Sequence, residues 1–171
     1  MRDGICLSSA SDNRSGLSTR PPTRSFQLTN FSSRTQITRH DCVEGWSCIG
    51  KWKGAPLKDI LTVAGVKPSA RYIAFYCADN LEQTLDDSGQ YYETIDLVDA
   101  FHPQTILAYE LNDATLPVSH GAPLRLRVER QLGYKMAKYV MAIEAIESFE
   151  KMGRGKGGFW EDRGYEWYPG I

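Results

Sequence analysis

Within the ten residues Arg39-His40-Asp41-Cys42-Val43-Glu44-Gly45-Trp46-Ser47-Cys48 stand two thiols, an imidazole, two carboxylates and a guanidinium. A thiolate is the soft ligand preferred by a high-valent transition metal already bound by sulfur. It binds only when deprotonated, which a nearby cation or hydrogen-bond donor favours. Cys42 has Arg39 and His40 just ahead of it, while Gly45 and Trp46 follow as a kink and an apolar lid that would keep bulk water off a metal. Two other readings compete for the same residues. A free cysteine is most often a small buried hydrophobe. His40, Cys42 and Cys48 could also be three ligands of a zinc ion, with Cys77 or another distant residue as the fourth, although their spacing fits none of the usual paired knuckles.

The elements that must position these groups read as short strands with few helices. Thr35, Ile37 and Arg39 alternate with Gln36, Thr38 and His40, which predicts a strand running into Cys42. Pro56 opens a helix whose Leu57, Ile60, Leu61 and Ala64 share a face, and Gly65 ends it. Further strands are expected over 71–77, 91–95, 105–111, 123–128 and 139–146, with a turn at Asn112-Asp113 and a tight basic connection over 133–138. Residues 153–158 read as a flexible glycine-rich link to an aromatic tail over 159–168.

With 171 residues, 42% of them apolar, the chain has room for one domain and its core. Residues 1–33 are dominated by Ser, Thr, Arg, Asn and Pro without periodicity, so they are expected to be disordered or loosely attached, with the domain spanning 34–171. Twenty basic against twenty-one acidic side chains leave a net charge of −1. That balance gives no global field to recruit nucleic acid or an anionic membrane. The four cysteines, Cys6, Cys42, Cys48 and Cys77, are read as thiols, since a chain of this size does not need a disulfide scaffold. The absence of a long apolar run predicts no membrane span, and the absence of a signal peptide predicts a cytoplasmic protein as encoded.

Several ordered motifs resemble the sulfite-oxidase-like, molybdopterin-dependent oxidoreductases. They are the Cys42 segment, continuing through Ile49-Gly50-Lys51-Trp52-Lys53-Gly54-Ala55-Pro56-Leu57, and the block from His102 through Leu107-Ala108-Tyr109 to Leu116-Pro117 and His120-Gly121-Ala122-Pro123-Leu124-Arg125. Leu132-Gly133-Tyr134-Lys135-Met136-Ala137-Lys138 and the terminal Gly158 to Ile171 complete the set, which runs from Arg34 to the end in the family's order. Within the family the chain is nearer the small bacterial catalytic subunits of the methionine-sulfoxide reductase type, whose relatives are often periplasmic. The family's upstream strand-and-loop segment has no counterpart recognisable in residues 1–33. The resemblance therefore implies the α+β, β-rich mixed-sheet sulfite-oxidase fold, incomplete at its N-terminus.

The resemblance also implies a molybdenum-pyranopterin cofactor ending in a phosphate. It makes Cys42 the metal ligand and Tyr91 an active-site phenol, with Tyr92 competing for that role. It makes Cys77, His120, Arg125, Met136, Ala137 and Lys138 cofactor contacts. Arg125 offers a planar fork to an anion, and Lys138 beside the amides of Met136 and Ala137 offers a phosphate cradle. Taken without the resemblance, Arg125, Arg127 and Arg130 read as a solvated strand face, and Lys135 and Lys138 as a wet turn. The implied reaction is oxygen-atom transfer or two-electron redox chemistry on a small oxo substrate, sulfite or a sulfoxide. Electrons would pass to or from a separate haem or flavin protein, since the chain has no Cys-x-x-Cys-His and no dinucleotide-binding glycine fingerprint. The alternative is a non-catalytic or truncated molybdopterin-fold domain that serves as a binding or interaction module.

Overall fold

The computed structural model describes residues 4–6, 24–25, 27–83 and 89–171. In chain order its strands and helices are β1 (Gly4–Cys6), β2 (Arg24–Ser25), β3 (Arg34–Asp41), β4 (Ser47–Pro56), α1 (Leu57–Ala64), β5 (Tyr72–Asn80), β6 (Gln90–Asp96), α2 (Leu97–Ala100), β7 (Ile106–Leu111), β8 (Ala114–Thr115), β9 (Arg125–Arg127) and β10 (Val140–Ile146). Among the described residues they form two sheets. One runs β2-β1-β10-β5-β6, and the other runs β3-β4-β7-β8 with β9 on β7. The β-rich fold with few helices agrees with the expected class.

Helix α1 follows from local chemistry. Pro56, at φ −58°, fixes the entry, Leu57, Ile60 and Leu61 are buried, and Gly65 at φ +75° takes the left-handed stop, its N–H returning to the carbonyls of Leu61 and Thr62. Asp96 caps α2 by accepting the Asp99 N–H at 2.7 Å. Strand β4 was not expected from the sequence. Its Gly50, Trp52 and Gly54 give the buried face two gaps beside one large ring, which obscures the alternation a strand normally displays. It pairs with β3 residue for residue from Arg34↔Gly54 to Asp41↔Ser47, so Cys42 to Trp46 form the hairpin tip.

The main core lies between the sheets. Ile73, Phe75, Tyr91, Ile95, Val140 and Ile143 come from the first sheet, Leu107 and Leu126 from the second, and Leu57, Ile60 and Leu61 from α1. A second cluster joins Trp52, Ile106, Ala108 and Leu116. In the first sheet β1 lies between β2 and β10, its Gly4, Ile5 and Cys6 pairing with Glu144, Ile143 and Ala142 of β10. Apart from β1 and β2, residues 1–26 lie outside the described residues, so a domain boundary at 33/34 stays an expectation. The glycine-rich stretch over 153–158 is held rather than slack: the Asp162 carboxylate accepts the amides of Arg154 at 2.9 Å and Lys156 at 3.1 Å.

Candidate cofactor site

The hairpin tip presents Cys42 half-buried. Its N–H donates to the Trp46 carbonyl at 2.9 Å, the Gly45 N–H returns to the Cys42 carbonyl at 3.0 Å, and Gly45 at φ +89° makes the kink. The Cys42 thiol lies 3.9 Å from Glu44 Oε2, which also accepts the Trp46 indole N–H at 3.1 Å. Trp46 is half exposed, its ring 5.8 Å from that of His40. The lid expected of Trp46 is thus a flap beside His40 rather than a buried plug. Cys48 is exposed and stands across the hairpin from His40.

His40 is buried, and its Nδ1 lies 2.9 Å from Arg127 Nη1 and 3.2 Å from Met136 Sδ. Because a guanidinium can only donate, Nδ1 is the acceptor and the ring proton sits on Nε2. Burial, then the charges of Arg125 and Arg127, push the ring's pKa down to about 4. His40 is therefore neutral at neutral pH. It is thus not the cation that the sequence suggested beside Cys42, and the other candidate, Arg39, is paired with Asp41.

Those arginines lie on β9, and neither forms the solvated face that the bare sequence suggests. Arg127 is fully buried, with Nε and Nη2 bonded to the two oxygens of Glu129 at 2.9 and 2.6 Å, and with Nη2 reaching Thr38 Oγ1 and the Arg39 carbonyl. Its guanidinium stands 4.5 Å from the Trp52 ring centre. Arg125 is only 8% exposed, yet it makes a long bond of 3.3 Å to the His120 carbonyl, and its Nε has no partner. Burial and the neighbouring Arg127 lower its pKa to about 10, which leaves it a cation at neutral pH. A buried guanidinium with an idle donor needs an acceptor, and an anionic group supplies one.

The remaining candidates line up from there. His120 is exposed, and the following Gly121, at φ +107°, lies so close to Lys138 that a Cβ there would meet the lysine Cβ at 2.8 Å. The Gly121 carbonyl accepts the Tyr139 N–H at 3.1 Å, and the Ala137 carbonyl accepts the Leu126 N–H at 2.8 Å, so the 120–126 and 137–140 segments run as one wall. Cys77, on β5, pairs with Val140 and is buried, which pushes its thiol pKa up and keeps it protonated. Met136 and Ala137 are buried in the main core, while Lys138 is half-buried with its ammonium 5.2 Å from the Tyr139 ring. The amide cradle expected of Met136 and Ala137 is already engaged: these N–H groups donate to the carbonyls of Gly133 and Lys135, each at 3.1 Å. Lys138 Nζ is then the cationic donor this turn offers a phosphate. His40 fits against the same turn because residue 133 is glycine, where a Cβ would come within 2.5 Å of the imidazole.

Tyr91 and Tyr92, the two competing phenols, face opposite ways. Tyr91 is buried among the core side chains and donates to the Tyr134 carbonyl at 2.5 Å; burial keeps its phenol protonated. Tyr92 donates to Asp162 at 2.6 Å, toward the C-terminal segment. Of the two, Tyr91 is on the side of Arg125 and the 133–138 turn. Sequence reasoning missed Arg127, Met136's contact with His40, and Lys135. The alternation of Leu124, Leu126 and Val128 around Arg127 marks a strand with one wet face, so the sequence held no signal for its burial. No group of three or more His, Cys, Asp or Glu side chains converges as a metal site among the described residues, and the zinc alternative finds no support. No helix among them is long and apolar enough to cross a membrane.

The model of the oxidoreductase molybdopterin-binding domain matches residues 15–153. A putative protein-methionine-sulfoxide reductase subunit YedZ1 from Azospira oryzae is 43% identical over 135 residues, covering 79% of this chain and 45% of the relative. The catalytic subunit MsrP of protein-methionine-sulfoxide reductase from Xanthomonas axonopodis pv. citri is 34% identical over 125 residues, covering 70% of this chain and 39% of the relative. The chain thus spans less than half the length of these curated relatives. The crystal structure of the sulfane dehydrogenase SoxCD from Paracoccus pantotrophus shares the fold, with a TM-score of 0.58 at 23% identity over 72% of this chain and 35% of that one. With most of its length matched by the family model, the chain belongs to the oxidoreductase molybdopterin-binding domain family.

Proposed function

We propose that this chain holds a molybdenum-pterin cofactor and takes part in oxygen-atom transfer or two-electron chemistry on a small oxo substrate of the sulfoxide or sulfite type. The observation that carries the reading is Arg125: a buried guanidinium with an unpartnered Nε, on the wall that also presents Lys138, while its strand neighbour Arg127 holds His40, two residues before Cys42. The relatives named as methionine-sulfoxide reductase subunits favour a sulfoxide over other oxo groups.

In this reading the Cys42 thiolate is the protein's ligand to molybdenum, which when bound supplies the two-electron redox chemistry. Arg125 and Lys138 neutralise the cofactor's anionic groups, and Met136, Ala137, His120 and Cys77 line its binding surface. His40, neutral and fixed by Arg127, holds the turn that carries Met136 rather than exchanging protons. Tyr91 is the candidate phenol for the reacting centre, although its proton is engaged by the Tyr134 carbonyl and would have to leave that bond to be used. A separate haem or flavin protein supplies or accepts the electrons, and the name "catalytic subunit" of the MsrP relative accords with such a division of labour.

The test is metal and pterin analysis of protein purified from a molybdenum-sufficient host, followed by turnover of a sulfoxide with an artificial electron donor. Molybdenum and pterin are expected in equal amounts. Cys42→Ser should lose most turnover, because an alkoxide is a harder ligand with different electronics. Molybdenum and pterin without turnover would favour the binding-module reading; full turnover in Cys42→Ser would remove Cys42 from the metal.

A further inference from the structure

The turn over 133–138 is held from outside its own sequence by a segment that lies beyond the family match, which ends at residue 153. Lys135 is fully buried, and its ammonium donates to Glu93 Oε1 of β6 and to Glu161 Oε1 of the C-terminal segment, each at 2.5 Å. The Trp167 ring centre stands 5.3 Å from the same ammonium. On the outer side the Tyr134 hydroxyl donates to the Glu166 carbonyl at 2.6 Å, and the Leu132 N–H to the Pro169 carbonyl at 3.0 Å. On the inner side the Tyr91 hydroxyl holds the Tyr134 carbonyl.

The C-terminal segment is itself fastened to β6, the last strand of its sheet. The Phe159 N–H donates to the Tyr92 carbonyl at 3.0 Å, and the Trp167 indole donates to Thr94 Oγ1 at 2.9 Å. Two carboxylates around one ammonium, all within 3% exposure, would bury a surplus negative charge, and the second oxygens of Glu93 and Glu161 have no partner. Such a charge is costly in the interior, so burial pushes the Glu93 carboxyl's pKa well up, and the hydrogen-bonded cluster is a rigid link between strand, turn and tail.

We propose that the C-terminal segment, acting through Glu161 on Lys135, is a clamp that sets the position of Met136, Ala137 and Lys138 for the pterin. Lys135 and Glu161 are then positioning residues for cofactor binding. The inference rests on the reading of Met136 to Lys138 as cofactor contacts, and its two halves can be measured separately.

Amide hydrogen exchange on cofactor-free full-length protein tests the clamp. Pterin release from the holoprotein, followed by the fluorescence of its oxidised product, tests what the clamp is for. In Glu161→Ala the amides of Met136 and Ala137 should exchange faster and pterin should leave about tenfold faster, as expected for one lost charge-assisted bond. Glu161→Gln, which still offers Lys135 a carbonyl oxygen, should restore most of both. Should Glu161→Ala fail to fold, Tyr134→Phe removes only the bond to the Glu166 carbonyl and should move both readouts the same way by less. Faster unfolding with exchange at Met136 and Ala137 unchanged would overturn the clamp. Faster exchange with unchanged pterin release would overturn its role toward the cofactor. A wild-type protein that never carries pterin would sink the cofactor reading by itself, while exchange still decides whether the clamp exists.

Discussion

Two arginines one residue apart on β9 divide the work of the site. Arg127 spends its donors on Glu129, His40, Thr38 and the Arg39 carbonyl, whereas Arg125 keeps an idle Nε at 8% exposure. Arg127→Ala leaves the half-buried Glu129 without its cation, with only the Gln36 amide still donating to it, and frees His40, so it should cost about 3–5 kcal/mol of stability in chemical denaturation. Arg125→Ala removes no ion pair seen among the described residues, so its effect should fall on cofactor. Together with Lys138→Ala it should lower pterin content per chain, each lost charge-assisted contact being worth roughly 1.5–3 kcal/mol. Full pterin content in both variants would return these side chains to a structural role. The difference between the two arginines is not legible in the run Leu124-Arg125-Leu126-Arg127-Val128, where both occupy equivalent alternate positions. It arises from Glu129 and His40, which the fold brings within hydrogen-bond distance of Arg127.

At the scale of elements, the 133–138 turn joins β6, β9, the hairpin tip and the C-terminal segment. Its burial inverted the expectation of a wet basic turn, because the carboxylates that neutralise Lys135 lie 42 and 26 residues away in sequence. Glu93 is surrounded by Lys135, Glu161, the Tyr91 and Tyr92 phenols and the Thr94 amide, and burial raises its carboxyl pKa well above 4.5. Below 4.5 both the folded and the unfolded chain carry this proton; above it the unfolded chain releases the proton while the folded chain retains it. The contribution to stability is therefore complete at low pH and is lost as pH rises toward the folded value. Glu93→Gln, whose amide replaces the protonated carboxyl, should show a shallower fall in unfolding midpoint between pH 5 and 8 than the wild type, in that about three-unit window of the linkage relation. Parallel profiles would mean that Glu93 is ionised in the fold. Helix α1, by contrast, was fully legible, since the spacing of Leu57, Ile60 and Leu61 and the stop at Gly65 are local signals.

Over the whole molecule, the order of the motifs forecast the family and the fold class, and the family match now extends back to residue 15. Composition alone suggested that residues 1–33 add little. Three of them, Gly4 to Cys6, pair with β10 on the strand that also neighbours β5 and Cys77. Strand pairing of this kind is invisible to composition, because three residues carry too little periodicity to register. Deleting residues 1–26 should expose that edge of β10 and lower the thermal midpoint, and an unchanged midpoint would leave the segment a loose attachment. The central claim is that Cys42 ties molybdenum to a pterin held by Arg125 and Lys138. X-ray absorption at the molybdenum edge tests it most directly, comparing wild-type protein with Cys42→Ser. The expected result is one sulfur scatterer fewer in the variant with the pterin sulfurs retained; identical sulfur shells in the two proteins, or no molybdenum in the wild type, would contradict it.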